Sequence, residues 1–240
     1  MTTSKIDELN EIIKNSKRIV FFGGAGVSTE SGVPDFRSKD GLYNSNISDN
    51  PEYLLSHECF INEPVKFFSF YFNKMIYDDA EPNDCHKKLK ELEDKGKLSA
   101  IITQNIDGLH QKAGSKNVIE LHGNVNYLTC VKCGKKYNLK DIKRSGVPKC
   151  SCGGTLKPDV VLYGEALNEN EVKKAVDEIK SADTLIIGGT SLVVYPAAGF
   201  INFFKGKNLV IINKDKTYAD NMANLVINDS IAKVFKKISI

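Results

Sequence analysis

The chain has 240 residues, enough for one large domain or for a domain with a small companion. Its 41% apolar and 26% charged shares are ordinary for a globular protein, and no apolar run reaches the roughly 18 residues that a membrane span requires. A net charge of +3 is too mild to argue for nucleic acid, and six cysteines behind a polar N-terminus with no export signal point to metal or free thiols in the cytoplasm rather than to disulfides.

In chain order, residues 4–15 place Ile6, Leu9, Ile12 and Ile13 at helical spacing and predict an amphipathic helix. Short apolar runs predict strands at 19–22, 100–103, 184–187, 209–212 and 225–227. Helices are expected near 84–95, 171–181, 195–204 and 230–238. This alternation implies a parallel α/β sheet covered on both faces, with its ligands beyond the carboxyl ends of the strands. Residues 39–80 break the pattern with Phe60, Phe67, Phe68, Phe70, Tyr71, Phe72 and Tyr77, which read as the packed core of a small helical insertion. Residues 126–157 break it again with cysteine, glycine and lysine.

The junction after the first strand reads GGAGVSTESGVPDFRS over residues 23–38. Gly23, Gly24 and Gly26 permit a tight turn and close approach of a ligand, and Ser28 and Thr29 are placed to cap a following helix that faces a pyrophosphate. The spacing is not G-x-G-x-x-G, since the next glycine is Gly32. Arg37 is one of only three arginines beside thirty lysines, which suits a planar, multi-donor cation at this loop. Gln104-Asn-Ile-Asp107 gathers two amides and a carboxylate able to bind ribose hydroxyls and a carboxamide, or to form an Asx-rich turn. Of the four histidines, His122 lies in Glu-Leu-His-Gly-Asn, and an imidazole suits proton transfer near neutral pH. His110 reads as structural, and His57 and His86 as surface or packing residues. Cys130-x-x-Cys133 and Cys150-x-Cys152, sixteen residues apart, have the spacing for one tetrahedral ion held by four thiolates. With no open position that ion is structural, and Zn²⁺ suits it best; Cys59 and Cys85 lack a partner pattern.

Four blocks together resemble the sirtuins, the NAD-dependent protein deacylases: the 23–38 loop, Thr103-Gln-Asn-Ile-Asp-Gly-Leu-His110, Glu120-Leu-His-Gly-Asn124, and Gly189-Thr-Ser-Leu192 followed by Pro196. The cysteine module stands between the last two, and the likeness spans about residues 18–230. The resemblance implies a Rossmann-like NAD-binding domain from 1–38, 82–125 and 158–240. It implies a small lobe from the helical insertion 39–81 and the zinc-binding module 126–157. It makes His122 the general base and gives Gln104 and Asn105 to the nicotinamide ribose, with Asn105 a second catalytic residue. Ile106 and Asp107 would line the nicotinamide pocket, and Gly24, Ala25, Gly26, Thr29, Phe36 and Arg37 would also face NAD. Thr190, Ser191, Asn213 and Asp229 fall to the other ribose and the adenine side. An acyl-lysine peptide would lie as an added strand against Val161, Leu162, Tyr163, Gly164 and Val193.

The implied reaction consumes NAD⁺. The acyl oxygen attacks the anomeric carbon as nicotinamide leaves, His122 then deprotonates a ribose hydroxyl that attacks the acyl carbon, and water releases lysine and O-acyl-ADP-ribose. A mono-ADP-ribosyltransferase on the same fold and a non-enzymatic zinc-ribbon module are the alternatives. A hydride-transferring dehydrogenase fits the glycine spacing poorly. Tyr71-Phe-Asn-Lys74 stands where relatives that prefer acidic acyl groups carry Tyr-x-x-Arg, so neutral acyl groups, acetyl first, are expected.

Overall fold

In the computed structural model, which describes residues 4–36, 41 and 50–239, Ser4 forms a capping box with Asp7 and opens helix α1 (Lys5–Asn15), with Leu9 and Ile13 buried. The chain continues through β1 (Ile19–Gly23), α2 (Pro51–Leu54), α3 (His57–Asn62), α4 (Pro64–Lys74), α5 (Asp84–Asp94), β2 (Leu98–Thr103), α6 (Leu109–Lys112) and β3 (Val118–Glu120). It ends with β4 (Gly123–Cys130), β5 (Lys136–Asn138), β6 (Leu156–Val160), α7 (Glu169–Ser181), β7 (Thr184–Gly188), β8 (Asn208–Ile212), β9 (Leu225–Ile227) and α8 (Ile231–Lys236).

Six parallel strands in the order β3-β2-β1-β7-β8-β9 make a Rossmann-like sheet. Because side chains alternate across a strand, Ile19 and Phe21 pack toward α1, α5 and α8, while Val20 and Phe22 pack toward α7 on the other face. β2, β7 and β8 repeat the alternation, which is why each reads as a continuous apolar run. The chain leaves β1 toward one edge of the sheet and returns at β7 to build the other. A switch point therefore opens above the carboxyl ends of β1 and β7.

A second sheet, β5-β4-β6, is antiparallel. Its Leu128 and Leu156, with Leu139 just after β5, share one core with Phe60, Phe67, Phe68 and Tyr71 of α3 and α4. The aromatic stripe is thus mainly core: Phe67 meets Phe68 edge-on at 5.1 Å between ring centres and stacks on Tyr71 at 5.8 Å. Among the described residues no helix is long and apolar enough to cross a membrane.

Two expectations of secondary structure are corrected, and one strand had no counterpart among them. Residues 195–204 form a 3₁₀ segment, Ala197–Phe203, in place of an α-helix; Gly199 weakens α-helix here, and near-consecutive Ala197, Ala198, Phe200 and Ile201 are all buried. The segment after the glycine loop is no regular helix but two 3₁₀ turns, Ala25–Val27 and Thr29–Ser31, ended by Gly32 at φ 83°. The three-residue edge strand β3 was too short to leave a periodic signal.

Candidate active site

The loops that follow β1, β2, β7 and β8 converge at the switch point around a cleft of about 770 Å³. The glycines of the first loop also make a close contact with the loop after β7. A Cβ on Gly26 would lie 2.8 Å from the Gly189 Cα, and one on Gly24 would lie 2.8 Å from the Thr190 Cβ. The Gly26 N–H donates to the Gly189 carbonyl at 2.8 Å, and the Gly24 N–H to that of Gly188 at 3.2 Å. These two amides lock two loops together, while Gly24, Ala25 and Gly26 all line the cleft. Asn83, the cap of α5, fixes the turn from behind, its amide donating to the Val27 carbonyl at 2.8 Å and to the Ser31 hydroxyl at 3.0 Å.

Ser28 does not cap a helix. Its hydroxyl donates to Asp107 Oδ2 at 2.7 Å and accepts from Asn105 Nδ2 at 3.1 Å. The other Asp107 oxygen accepts the Leu109 N–H at 2.9 Å. Burial raises the Asp107 carboxyl above its ordinary range, and the Ser28 hydroxyl opposes that rise. Gln104 Nε2 donates to Thr190 Oγ1 at 3.2 Å and joins the β2 loop to the β7 loop. Gln104, Asn105, Ile106 and Asp107 all line the cleft, with Ala25, Thr29 and Phe36 across from them.

His122 stands at the turn between β3 and β4. Its Nδ1 lies 2.8 Å from the Gln104 carbonyl oxygen. A carbonyl only accepts, so Nδ1 carries the proton and Nε2 is the basic atom of the neutral ring. His122 lines the cleft, and burial pulls its pKa below the ordinary histidine value, with the Gln104 carbonyl opposing. It thus stays neutral, and able to take a proton, to more acidic pH than a free imidazole.

Thr190, Ser191, Asn213 and Asp229 line the cleft. Asn213 spends its side-chain N–H on the Asp215 carbonyl at 2.8 Å, and Asp229 accepts the Ser230 N–H at 2.7 Å. The segment Val161–Leu162–Tyr163–Gly164 leaves β6 along the opposite wall. Tyr163 pairs through both backbone groups with residues 55 and 57, whereas the Gly164 N–H has no acceptor among the described residues. Val193 is 53% exposed and sits next to Val194 and Tyr195, which line the cleft. Arg37 lies outside the described residues. Lys74 is solvent-exposed at the carboxyl end of α4 and does not line the cleft, whereas Tyr71 and Met75 of the same turn do.

The four module cysteines bring their sulfur atoms within 4.8 Å of one another, the one such cluster of potential metal ligands among the described residues. Cys130 and Cys152 are 3.5 Å apart, and Cys133 and Cys150 are 3.6 Å apart. Four sulfurs at Zn–S distances of about 2.3 Å around a tetrahedron stand about 3.8 Å apart, so the donor set fits Zn²⁺. A Cβ on Gly154 would lie 2.6 Å from the Cys130 sulfur, so only glycine closes the second knuckle this near the ion's place. The Cys152 N–H and the Tyr137 hydroxyl donate to the Cys150 sulfur and pull its thiol down to about 6. Cys59 and Cys85 are buried elsewhere.

His86 and His110 are buried with ring centres 4.7 Å apart. Among the described residues neither His110 nitrogen has a partner, and this ring packs against its surroundings; His86 accepts the Asn83 N–H at 3.2 Å. Sequence reasoning missed Ser28 as the link between Asn105 and Asp107, and missed Tyr71, Met75 and Leu55 as cleft residues. An aromatic stripe cannot tell which of its members borders a cavity.

The model of the Sir2 family matches residues 24–196. A relative from Clostridium perfringens named NAD-dependent protein deacetylase is 63% identical over 98% of each chain. One of the same name from Staphylococcus aureus is 46% identical over 97% of each. A solved structure of Sir2 with a p53 peptide and NAD⁺ superposes with a TM-score of 0.85 at 38% identity, covering 98% of this chain and 97% of that one. A Sir2 variant with a deacetylated p53 peptide and 3′-O-acetyl-ADP-ribose gives 0.89 at 36% identity, covering 98% and 97%.

Proposed function

The chain belongs to the Sir2 family, and from that premise we propose how its residues divide the work of an NAD-dependent protein-lysine deacetylase. The reaction takes an N-acyl-lysine, NAD⁺ and water to free lysine, nicotinamide and O-acyl-ADP-ribose. One observation carries the assignment of the base. The His122 ring, held through Nδ1 by the Gln104 carbonyl, lines the same cleft as the amide and carboxylate network of Asn105, Ser28 and Asp107. His122 Nε2 accepts the proton of a ribose hydroxyl as that oxygen attacks the acyl carbon.

Gln104 and Asn105 hold the nicotinamide ribose. Asp107 and Ile106 form the nicotinamide pocket, where a buried carboxyl suits a carboxamide. Ala25, Thr29 and Phe36 flank NAD from the first loop, and Thr190, Ser191, Asn213 and Asp229 hold its adenosine end. The acyl-lysine peptide lies along Val161–Gly164, with the Gly164 N–H open to it and Val194 opposite. Cys130, Cys133, Cys150 and Cys152 hold one Zn²⁺ that braces the small lobe and leaves no position for substrate. The insertion and the zinc module act as one lobe over the cleft, since their apolar residues share one core. A cytoplasmic setting keeps such thiols reduced.

Mass spectrometry of the nucleotide product from NAD⁺ and an acetyl-lysine peptide tests the reading. O-acetyl-ADP-ribose with one nicotinamide per lysine freed is expected. ADP-ribosylated protein without lysine release would instead establish the transferase alternative.

A further inference from the structure

The zinc module carries a charge that the rest of the chain does not. Residues 130–157 hold eight cations (Lys132, Lys135, Lys136, Lys140, Lys143, Arg144, Lys149 and Lys157) against one acid, Asp141. That leaves the module at +7 in a chain whose total is +3, so the remaining residues sum to −4. Four thiolates around Zn²⁺ remove two of those charges and still leave the module strongly basic. Some cations are spent: Lys136 on Asp159 at 3.0 Å, Arg144 on Asp78, and Lys157 on Glu165 at 3.0 Å. Lys132, Lys140 and Lys143 are exposed and meet no carboxylate among the described residues. Like charges gathered on one small module repel one another, a cost that a partner of opposite sign removes.

The fold also ties this surface to the substrate wall. β6 starts at the second cysteine knuckle, where Lys149 Nζ donates to Thr155 Oγ1 at 2.9 Å, and its carboxyl end becomes Val161–Gly164. At about 3.3 Å per residue, the knuckle and the groove are ~20 Å apart along one strand. We propose that the basic surface of the zinc module is a second docking surface for protein substrates, and that it binds an acidic segment reaching the knuckle of Lys132, ~20 Å from the acylated lysine. The proposal rests on the deacetylase reading above and names the class of substrate that site prefers.

Acidic protein fits better here than nucleic acid. The exposed Tyr127 and half-buried Tyr137 of the module each carry one of its lysines over the ring, Lys136 at 4.7 Å and Lys135 at 5.1 Å. A base stacking on either face so occupied would have to displace that lysine.

The test compares three acetyl-lysine peptides with the full-length, zinc-loaded enzyme. One is short and neutral. The other two add a Gly-Ser spacer of about twelve residues, whose mean span is ~20 Å, followed by a run of glutamates or of glutamines. At low salt the glutamate tail is expected to lower KM about tenfold relative to the glutamine tail, with kcat unchanged. About 0.5 M salt should abolish the difference. So should the combined Lys132→Glu, Lys140→Glu and Lys143→Glu variant, which should keep its zinc and its kcat/KM on the short peptide. Equal KM values for the two tails, or an advantage that survives the triple variant, would overturn the proposal. Duplex DNA that binds the wild type but not the variant, and more tightly than the glutamate tail, would overturn it in favour of nucleic acid. If the short peptide is not turned over at all, the deacetylase reading has failed instead. Fluorescence anisotropy of the labelled glutamate tail then still decides the docking surface, and no binding at low salt would sink it.

Discussion

The parallel sheet and the cysteine module achieve order by different means. The sheet buries Phe21, Phe22, Ile101, Ile186, Ile187 and Ile211 between two helical layers, and each such side chain contributes about 2 kcal/mol by leaving water. Its strands need nothing at their carboxyl ends, so the loops there are free to be shaped for chemistry. The module has three short antiparallel strands and a narrow core shared with α3 and α4. Its knuckles, Cys130–Cys133 and Cys150–Cys152, are largely exposed turns with little to bury. Four thiolates on one ion replace the missing core there. The chemistry should therefore fail without unfolding when the sheet's loops are altered, and should fail through unfolding when the module is.

The largest effect expected is at the sheet. His122→Ala should lower kcat for deacetylation about a thousandfold, the range a general base supplies. Thermal stability and NAD⁺ affinity should stay close to wild type, because the side chain makes one hydrogen bond at the rim of the core. Turnover within tenfold of wild type would move the base elsewhere. The acidic limb of kcat/KM should also fall below pH 6.5, since burial keeps His122 neutral below that value; a limb above 6.5 would contradict the burial argument.

Next comes the module. Cys152→Ser should release the zinc and lower activity about a hundredfold, through loss of structure. Hydrogen exchange separates the two regions: amides of β4, β5 and β6 should lose protection, while those of β1, β2 and β7 keep it. Full metal content in the variant would show that the C-x-C pair is not a ligand pair. Loss of protection throughout would show that the two regions fold as one.

A smaller effect belongs to the sheet's own buried histidines. His86 is pushed down to about 4 and His110 well below its ordinary value, chiefly by burial. Both stay neutral in the folded protein and charge in the unfolded chain near pH 6.5. Stability is therefore at its full value above 6.5 and falls as pH drops from there toward 4, because the unfolded chain binds more protons in that window. The His86 shift corresponds to about 3 kcal/mol over the full window, as an order of magnitude. Urea midpoints at pH 7 and pH 5 should differ in that direction, and His110→Leu should flatten the difference. Identical midpoints would mean that water or motion solvates the pair.

How legible each region was follows from the same contrast. The sheet was readable because burial on both faces writes continuous apolar runs, and because its ligand loops sit next to them in sequence. The cysteine pairs were readable because metal geometry demands close spacing. Other features were not readable, because they depend on residues that meet only in three dimensions. Ser28 looks like a helix cap until Asp107, seventy-nine residues away, is seen to take its hydroxyl. Gly26 reads as a ligand-loop glycine, and only the fold shows that Gly189 also packs against it. Val193 and Val194 differ by one position, and only the path of the loop decides which of them lines the cleft.

The acyl end of the cleft is where the two regions meet, and it carries the smallest expected effect. Leu55, Tyr71 and Met75 come from the helical insertion, Val160 and Leu162 from the end of β6, and Ile106 from the sheet. Five of these six are apolar, and the sixth, Tyr71, presents a buried hydroxyl that finds no partner among the described residues. No lysine lines this wall among the described residues; Lys74, one turn from Tyr71, points to solvent. A carboxylate placed there would lose its water and gain at most one neutral hydrogen bond, a poor exchange. A neutral acyl chain would lose nothing, and a longer one would bury more surface against Met75 and Leu162. On one peptide, kcat/KM should therefore rank acetyl above succinyl by about tenfold, with medium-length fatty acyl groups near acetyl. Tyr71→Phe should leave acetyl turnover almost unchanged and lower succinyl turnover further. A succinyl preference in the wild type would mean that a cation reaches this wall in the working enzyme, and that the small lobe supplies charge as well as shape.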